Sequence, residues 1–166
     1  MLKPHDLVVA LRYALHHDDA PISMVGVGSL LGLSGSEVHA AIRRARQAGL
    51  MAKYLANRDA LVEFVLHGVR YVYFVERGAV TRGFPTAHAV PPLDKFIRPN
   101  GLLPVWPDPE GPVRGESFAP LYKSASVAAR SDRRMYKALA LIDAIRGGRA
   151  RERSKASELF PKLVLE

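Results

Sequence analysis

The chain contains no cysteine. That excludes disulfides, thiolate metal sites and cysteine nucleophiles. No apolar run approaches the roughly 18 residues of a membrane-spanning helix. The opening segment, MLKPHDLVVALRYALHHDD, mixes Lys3 with Asp6, Arg12 and His16 and holds no small-residue cleavage site, so it does not read as a signal peptide. A cytoplasmic protein with no membrane contact is the expectation. The chemistry of catalysis is also missing. There is no paired-carboxylate motif, metal-ligand spacing, phosphate loop or nucleophile elbow. The six histidines are scattered, and His67 and His88 have no evident partner. No enzyme, metal site or cofactor is expected. Acidic residues are in deficit: 16 Asp and Glu stand against 24 Lys and Arg, for a formal charge of +8 and a pI near 10.0. Such a balance favours an anionic partner, nucleic acid before lipid or an acidic protein. With 166 residues, 48% of them hydrophobic, the chain can build a core, and global disorder is not expected.

Residues 4–18 read as an amphipathic helix. Pro4 suits its first turn, Asp6 complements the positive helix end, and Leu7, Val8, Leu11, Ala14 and Leu15 form one apolar stripe. The cluster His16, His17, Asp18, Asp19 reads as a solvated helix end, because adjacent histidines leave a helix in different directions and chelate poorly. Ser23 caps a second helix to about Leu31. Gly26, Gly28 and Gly32 miss the dinucleotide-binding spacing by one residue. They read better as a close helix approach at Gly28 and a helix stop at Gly32. Ser34 and Glu37 then form an S-x-x-E capping box, so a third helix spans 34–48 and closes at Gly49-Leu50. At 100° per residue Val38, Ala41, Ile42 and Ala45 point inward, while Ser36, His39, Ala40, Arg43, Arg46 and Gln47 point outward. A basic outer face with short polar residues is what a helix in the DNA major groove needs.

The run Val27-Gly28-x-x-Leu31-Gly32-Leu33-Ser34, followed by Val38, Ile42 and Gly49-Leu50, resembles the winged helix-turn-helix regulators of the MarR and ArsR type. It has Gly28 where Ala is usual and Ala45 where Leu is usual. The likeness covers 24 residues closely. It implies an α+β, mainly α fold of three to four helices with a β-hairpin wing, and a homodimer that places two recognition helices on duplex DNA. It also implies DNA contacts from Ser34, Ser36, His39, Ala40, Arg43, Arg46 and Gln47.

Asn57 caps a short helix from Arg58 to His67, which Gly68 ends. Val69-Arg70-Tyr71-Val72-Tyr73-Phe74-Val75 is β-branched and aromatic, which favours a strand. Glu76-Arg77-Gly78 reads as a turn, with a return strand to Phe84. The hairpin 69–84 is thus the expected wing, and the resemblance implies backbone or minor-groove contacts from Arg77 and Arg82. These two arginines also read as ordinary surface residues.

Prolines at 91, 92, 99, 104, 107, 109, 112 and 120 leave no room for a long element between Val90 and Tyr122. The same span holds Leu93, Phe96, Ile97, Leu102, Leu103, Val105, Trp106, Phe118 and Leu121, more apolar bulk than a solvated linker carries. An ordered, extended segment with Trp106 buried is expected. Helices return after Ser124. One starts at Ser131-Asp132 with Met135, Leu139, Ile142 and Ile145 on one face, Gly147-Gly148 break it, and a last helix starts at Arg149. Between Ser131 and Lys155 there are 8 Lys and Arg against 3 Asp and Glu. Arg146, Arg149, Arg151 and Arg153 form a second basic patch: a further DNA contact, a dock for an acidic partner, or a solvated face.

The expected organisation is a DNA-binding domain over 1–86, a Pro-rich ordered connector over 87–123 and a basic helical region over 124–166. The expected activity is that of a homodimeric, sequence-specific transcriptional regulator, a repressor. Arg43 would touch both phosphate and base, and Ser36, His39 and Gln47 would set base choice. The stripes Leu7, Leu11, Leu15 and Met135, Leu139, Ile142 offer candidate dimer surfaces. The alternative is a protein-interaction module, such as an antitoxin with an N-terminal winged helix and a C-terminal region that grips a partner.

Overall fold

Four of the helices begin where a short polar side chain, Ser23, Ser34, Asn57 or Asp132, caps them. The structure is a computed structural model that describes residues 1–166. Helix α1 (Pro4–Leu15) starts at its proline, with the Asp6 carboxylate accepting from the Lys3 N–H at 2.7 Å. Ser23 Oγ accepts from the Gly26 N–H at 3.0 Å and opens α2 (Met24–Leu31). Ser34 and Glu37 bond reciprocally and open α3 (Gly35–Gln47). A two-residue pair, β1 (Met51–Ala52) and β2 (Leu55–Ala56), follows at once, and Asn57 then caps α4 (Arg58–His67). Next come α5 (Val69–Val72), strand β3 (Arg77–Pro85), single 3-10 turns at Ala87–Ala89 and Leu93–Lys95, β4 (Pro104–Pro107) and β5 (Val113–Phe118). Three helices close the chain: α6 (Ala125–Ser131), α7 (Arg133–Gly147) and α8 (Ala150–Leu165). The fold is α+β and mostly helical. Each side-chain cap contributes about 1 kcal/mol.

The hairpin expected over 69–84 does not form. Gly68 keeps a right-handed backbone (φ −117°, ψ −39°), so the chain continues from α4 into another helical turn, α5, instead of turning into a strand. Val69 is buried there, and α5 packs on α7. Strand β3 finds its partners further along, in the Pro-rich span. It runs antiparallel to both β4 and β5, while β4 and β5 pair in parallel, so each of the three strands bonds to the other two. That span is ordered and buries Trp106, but it carries strands and 3-10 turns instead of an unbroken extended path.

One hydrophobic cluster of 37 residues runs from Leu7 to Val164 and draws on the spans 1–86, 87–123 and 124–166 alike. Helix α1 lies at its centre, packed against α2, α3, α4, α7 and α8. Leu7, Val8, Val9, Ala10 and Leu11 are all fully buried, so this helix is apolar on every side. Leu7, Leu11, Leu15, Met135, Leu139 and Ile142 therefore lie inside the protomer. Neither stripe is a free face for pairing with a second copy.

Polar groups join these parts through buried bonds. The Asp143 carboxylate on α7, 1% exposed, accepts from Thr86 Oγ1 (2.6 Å), Trp106 Nε1 (2.7 Å) and Arg146 Nε (2.8 Å). Arg146 in turn donates to the carbonyls of Tyr73 (3.0 Å) and Ala119 (2.6 Å). The Tyr136 hydroxyl donates to the Pro85 carbonyl at 2.7 Å, and the Tyr122 hydroxyl to Leu31 at 2.8 Å. Burial pushes the phenols of Tyr73 and Tyr136 up to about 12 and raises that of Tyr122 as well. Burial makes the folded chain favour these rings as neutral phenols. Stability is therefore full below the ordinary phenol value near 10 and falls as pH rises from there through about 12. An ultraviolet titration should show these three tyrosines ionising above the ordinary phenol value, with helical circular dichroism falling over the same range. Normal titration of all six tyrosines with the helices intact would contradict the packing.

Candidate nucleic-acid interface

Two glycines allow the α2–α3 turn. A Cβ on Gly28 would collide with the Leu33 carbonyl, and the Leu33 N–H bonds back to the Gly28 carbonyl at 2.8 Å. Gly32 ends α2 with φ +72°, a left-handed conformation that side chains disfavour. It also sits against Ser124, so α6 backs the turn. Together with the Tyr122–Leu31 bond, this fixes the helix pair to the C-terminal part of the fold.

Helix α3 buries Val38, Ala41, Ile42 and Ala45, as its periodicity implies. Ser36, His39, Arg43, Arg46 and Gln47 are exposed, and Ala40 is half-buried between them. Neither Arg43 nor Arg46 makes an ion pair or a side-chain hydrogen bond. Ser34 is exposed, but its hydroxyl already serves the Glu37 N–H and the Ser36 hydroxyl at 3.1 Å each. Its part is to start the helix. Arg44 differs from its neighbours. It turns back to α1 and grips the fully buried Asp6 through Nε (2.9 and 3.0 Å) and Nη2 (2.8 Å). That carboxylate holds the Arg44 guanidinium above its ordinary value. This bidentate clamp fixes the rotation of α3 about its own axis.

The residues that sequence reasoning missed are those of the β1–β2 hairpin directly after α3. Lys53 sits at its tip with φ +56°, and Tyr54 and Leu55 beside it are exposed. Arg43, Arg46, Gln47, Met51, Ala52 and Lys53 line one shallow concavity between the end of α3 and the hairpin. Each strand has only two residues, too short for alternation to register, and the Leu50–Ala56 run has no turn signature beyond Gly49.

The other candidate residues lie elsewhere. Arg77 and Arg82 are on β3, which does not pack on α3. Arg77 donates to the Gly147 carbonyl at 2.8 Å and pairs with Glu116 at 3.3 Å, and Arg82 donates to the Gly111 carbonyl at 3.1 Å. They do not stand beside α3. Arg146 is not a surface residue at all: it is buried against Asp143. Arg153 is partly buried and reaches back to the Gly148 carbonyl at 3.3 Å. Arg149 and Arg151 stay exposed and share a cleft with Arg77. The second basic patch therefore divides into an internal arginine, a helix-bound one and two free ones.

Around the ends of α1 and α7, His16 lies between the carboxylates of Asp19 and Asp132, at 2.6 Å from each. No group of three or more His, Asp or Glu side chains is arranged to hold a metal ion, and no helix is long and apolar enough to cross a membrane. The chain matches no family model, no curated protein and no solved structure.

Proposed function

We infer that this chain binds duplex DNA, with α3 in the major groove and the β1–β2 hairpin, not residues 69–84, as its wing. One observation carries the reading. The outward face of α3 holds two arginines with no intramolecular partner, next to Lys53, while the third arginine of the helix is locked inward on Asp6. Unpaired guanidiniums on a helix anchored along its other side suit phosphate and base-edge contact. Ser36, His39 and Gln47 are the short polar groups placed to meet base edges. In this reading the protein is a transcriptional regulator. A homodimer would have to set two copies of α3 about 34 Å apart, one turn of the double helix.

The test is the salt dependence of binding to duplex DNA for the wild type and for Arg43→Ala/Arg46→Ala, followed by fluorescence anisotropy. Each lost phosphate contact lowers the slope of log K against log salt by about 0.9, so the double variant should lose about 2 from the slope. It should also lose at least tenfold in affinity. An unchanged slope overturns the placement of α3. Both residues are exposed and unpaired, so circular dichroism should stay as in the wild type.

A further inference from the structure

Arg77, Arg149 and Arg151 are brought together by the fold although more than seventy positions separate the first from the others. They line a cleft of about 670 Å³ between β3, the Ala87–Ala89 turn, the loop from Asp94 to Leu102 and the start of α8. Lys95 and Arg98 extend the cationic wall from the loop. Five cations thus face three carboxylates, Asp94, Glu116 and Glu152. Arg77 is held in position: Gly147 and Glu116 take its guanidinium, which lies over the Phe118 ring at 5.3 Å. The side chains of Lys95, Arg98, Arg149 and Arg151 have no hydrogen-bond or ion-pair partner within the chain.

His88 supplies a second observation. It lines the same cleft and is 9% exposed. Its Nδ1 is buried with no hydrogen-bond partner, 3.4 Å from Glu152 Oε1. The other oxygen of Glu152 accepts the Arg149 N–H at 2.9 Å and caps α8. Burial lowers the pKa of His88, Glu152 opposes this, and Arg77 and Arg149 lower it further. The ring stands in a cleft with two more cations than carboxylates.

We propose that this cleft binds the terminal phosphate of a small phosphate monoester, with Arg149 and Arg151 as its principal ligands and Arg77 as a fixed third. A phosphate monoester carries close to two negative charges and three acceptor oxygens at neutral pH, which matches arginine donors brought to one cleft from β3 and the start of α8. The volume suits such a group with a sugar-sized body attached. Asp94, Glu116 and Glu152 on the same walls argue against a continuous polyanion: a duplex laid across the cleft would bring its phosphates against all three carboxylates, whereas a compact dianion can sit on Arg149 and Arg151, whose side chains have no carboxylate partner. The site does not depend on α3 reading DNA, and either reading can fail without the other.

The probe is glucose 6-phosphate, titrated into the full chain at physiological salt by calorimetry. Glucose and sodium sulfate serve as controls, and the His88 ring is followed by nuclear magnetic resonance. Saturable binding of one molecule per chain is expected, with no binding of glucose and much weaker binding of sulfate. Bound phosphate offsets Arg77 and Arg149, so the titration midpoint of His88 should move upward. Arg149→Gln/Arg151→Gln, two exposed and unpartnered positions, should cut the affinity about tenfold or more, the loss of at least one charge-assisted contact, while leaving the fold intact. Absence of saturable binding together with an unmoved His88 overturns the proposal. So does sulfate binding as tightly as the ester, or full affinity in the double variant. If this double variant weakens duplex DNA binding as much as loss of Arg43 and Arg46 does, the cleft belongs to a DNA surface and the small-ligand assignment falls.

Discussion

Replacing Asp143 by alanine is expected to destabilise the chain by about 3–5 kcal/mol, the range for breaking a buried ion pair by removing one partner. Three donors lose their acceptor at once: the Thr86 hydroxyl, the Trp106 indole and the Arg146 guanidinium. The last is the costliest, because Arg146 is itself buried and would keep only the carbonyls of Tyr73 and Ala119. These groups come from α7, β4, the loop after β3, the segment after α5 and the segment after β5, so one carboxylate ties the three-strand unit to the helices. In a chain of this size each kcal/mol moves the melting temperature by roughly 2–4 °C, which puts the expected drop at roughly 6–20 °C. Trp106 is the only tryptophan and its N–H sits on Asp143, so fluorescence reports the loss directly. A variant with an unchanged melting temperature and unchanged emission would show that the network is not held in solution.

Arg44→Ala should be the most damaging arginine substitution on α3, although Arg44 is not on its fully exposed side. It leaves Asp6, fully buried, as an uncompensated charge with only the Lys3 N–H as donor, at a cost of about 3–5 kcal/mol. Removing both partners, in Asp6→Ala/Arg44→Ala, should cost less than Arg44→Ala alone, because no buried charge remains; the loss of the α1 cap, about 1 kcal/mol, stays. Chemical denaturation of the two single variants and the double gives the coupling energy directly. Arg43→Ala, by contrast, should leave stability within about 0.5 kcal/mol of the wild type, as at an ordinary surface position. If Arg43 and Arg44 behave alike, the rotation assigned to α3 is wrong.

The first helices were legible because their signals are local. Ser23, Ser34 with Glu37, and Asn57 each act within three residues, and Gly32 needs only its own backbone angle. Val69–Val75 misled because strand propensity measures fit to a half-buried pleated surface, and no such surface waits there. Val69 alone is fully buried and Tyr73 and Val75 pack on the core only in part, while Tyr71 and Phe74 are more than 70% exposed. Strand β3 pairs with residues twenty or more positions away, through registers such as Phe84 with Trp106 and Thr81 with Gly115, and no local pattern announces them. Arg146 reads as a surface residue because its partner Asp143 lies one turn away, as in many exposed pairs. Their burial is set by Tyr73, Thr86, Trp106 and Ala119, all distant in sequence. The grouping of Arg77 with Arg149 and Arg151 was hidden for the same reason.

The shared core has a consequence for how the molecule can move. Tyr122 and Ser124 hold the back of the α2–α3 turn, α1 threads the centre, and α8 reaches α4 and α1. The face of α3 is thus not carried on a tethered head that can reorient over a target. It moves with the whole protomer, so its approach to a partner is a rigid-body docking problem. Any adjustment of its pitch has to come from how copies or partners sit against one another, not from a hinge at residues 87–123.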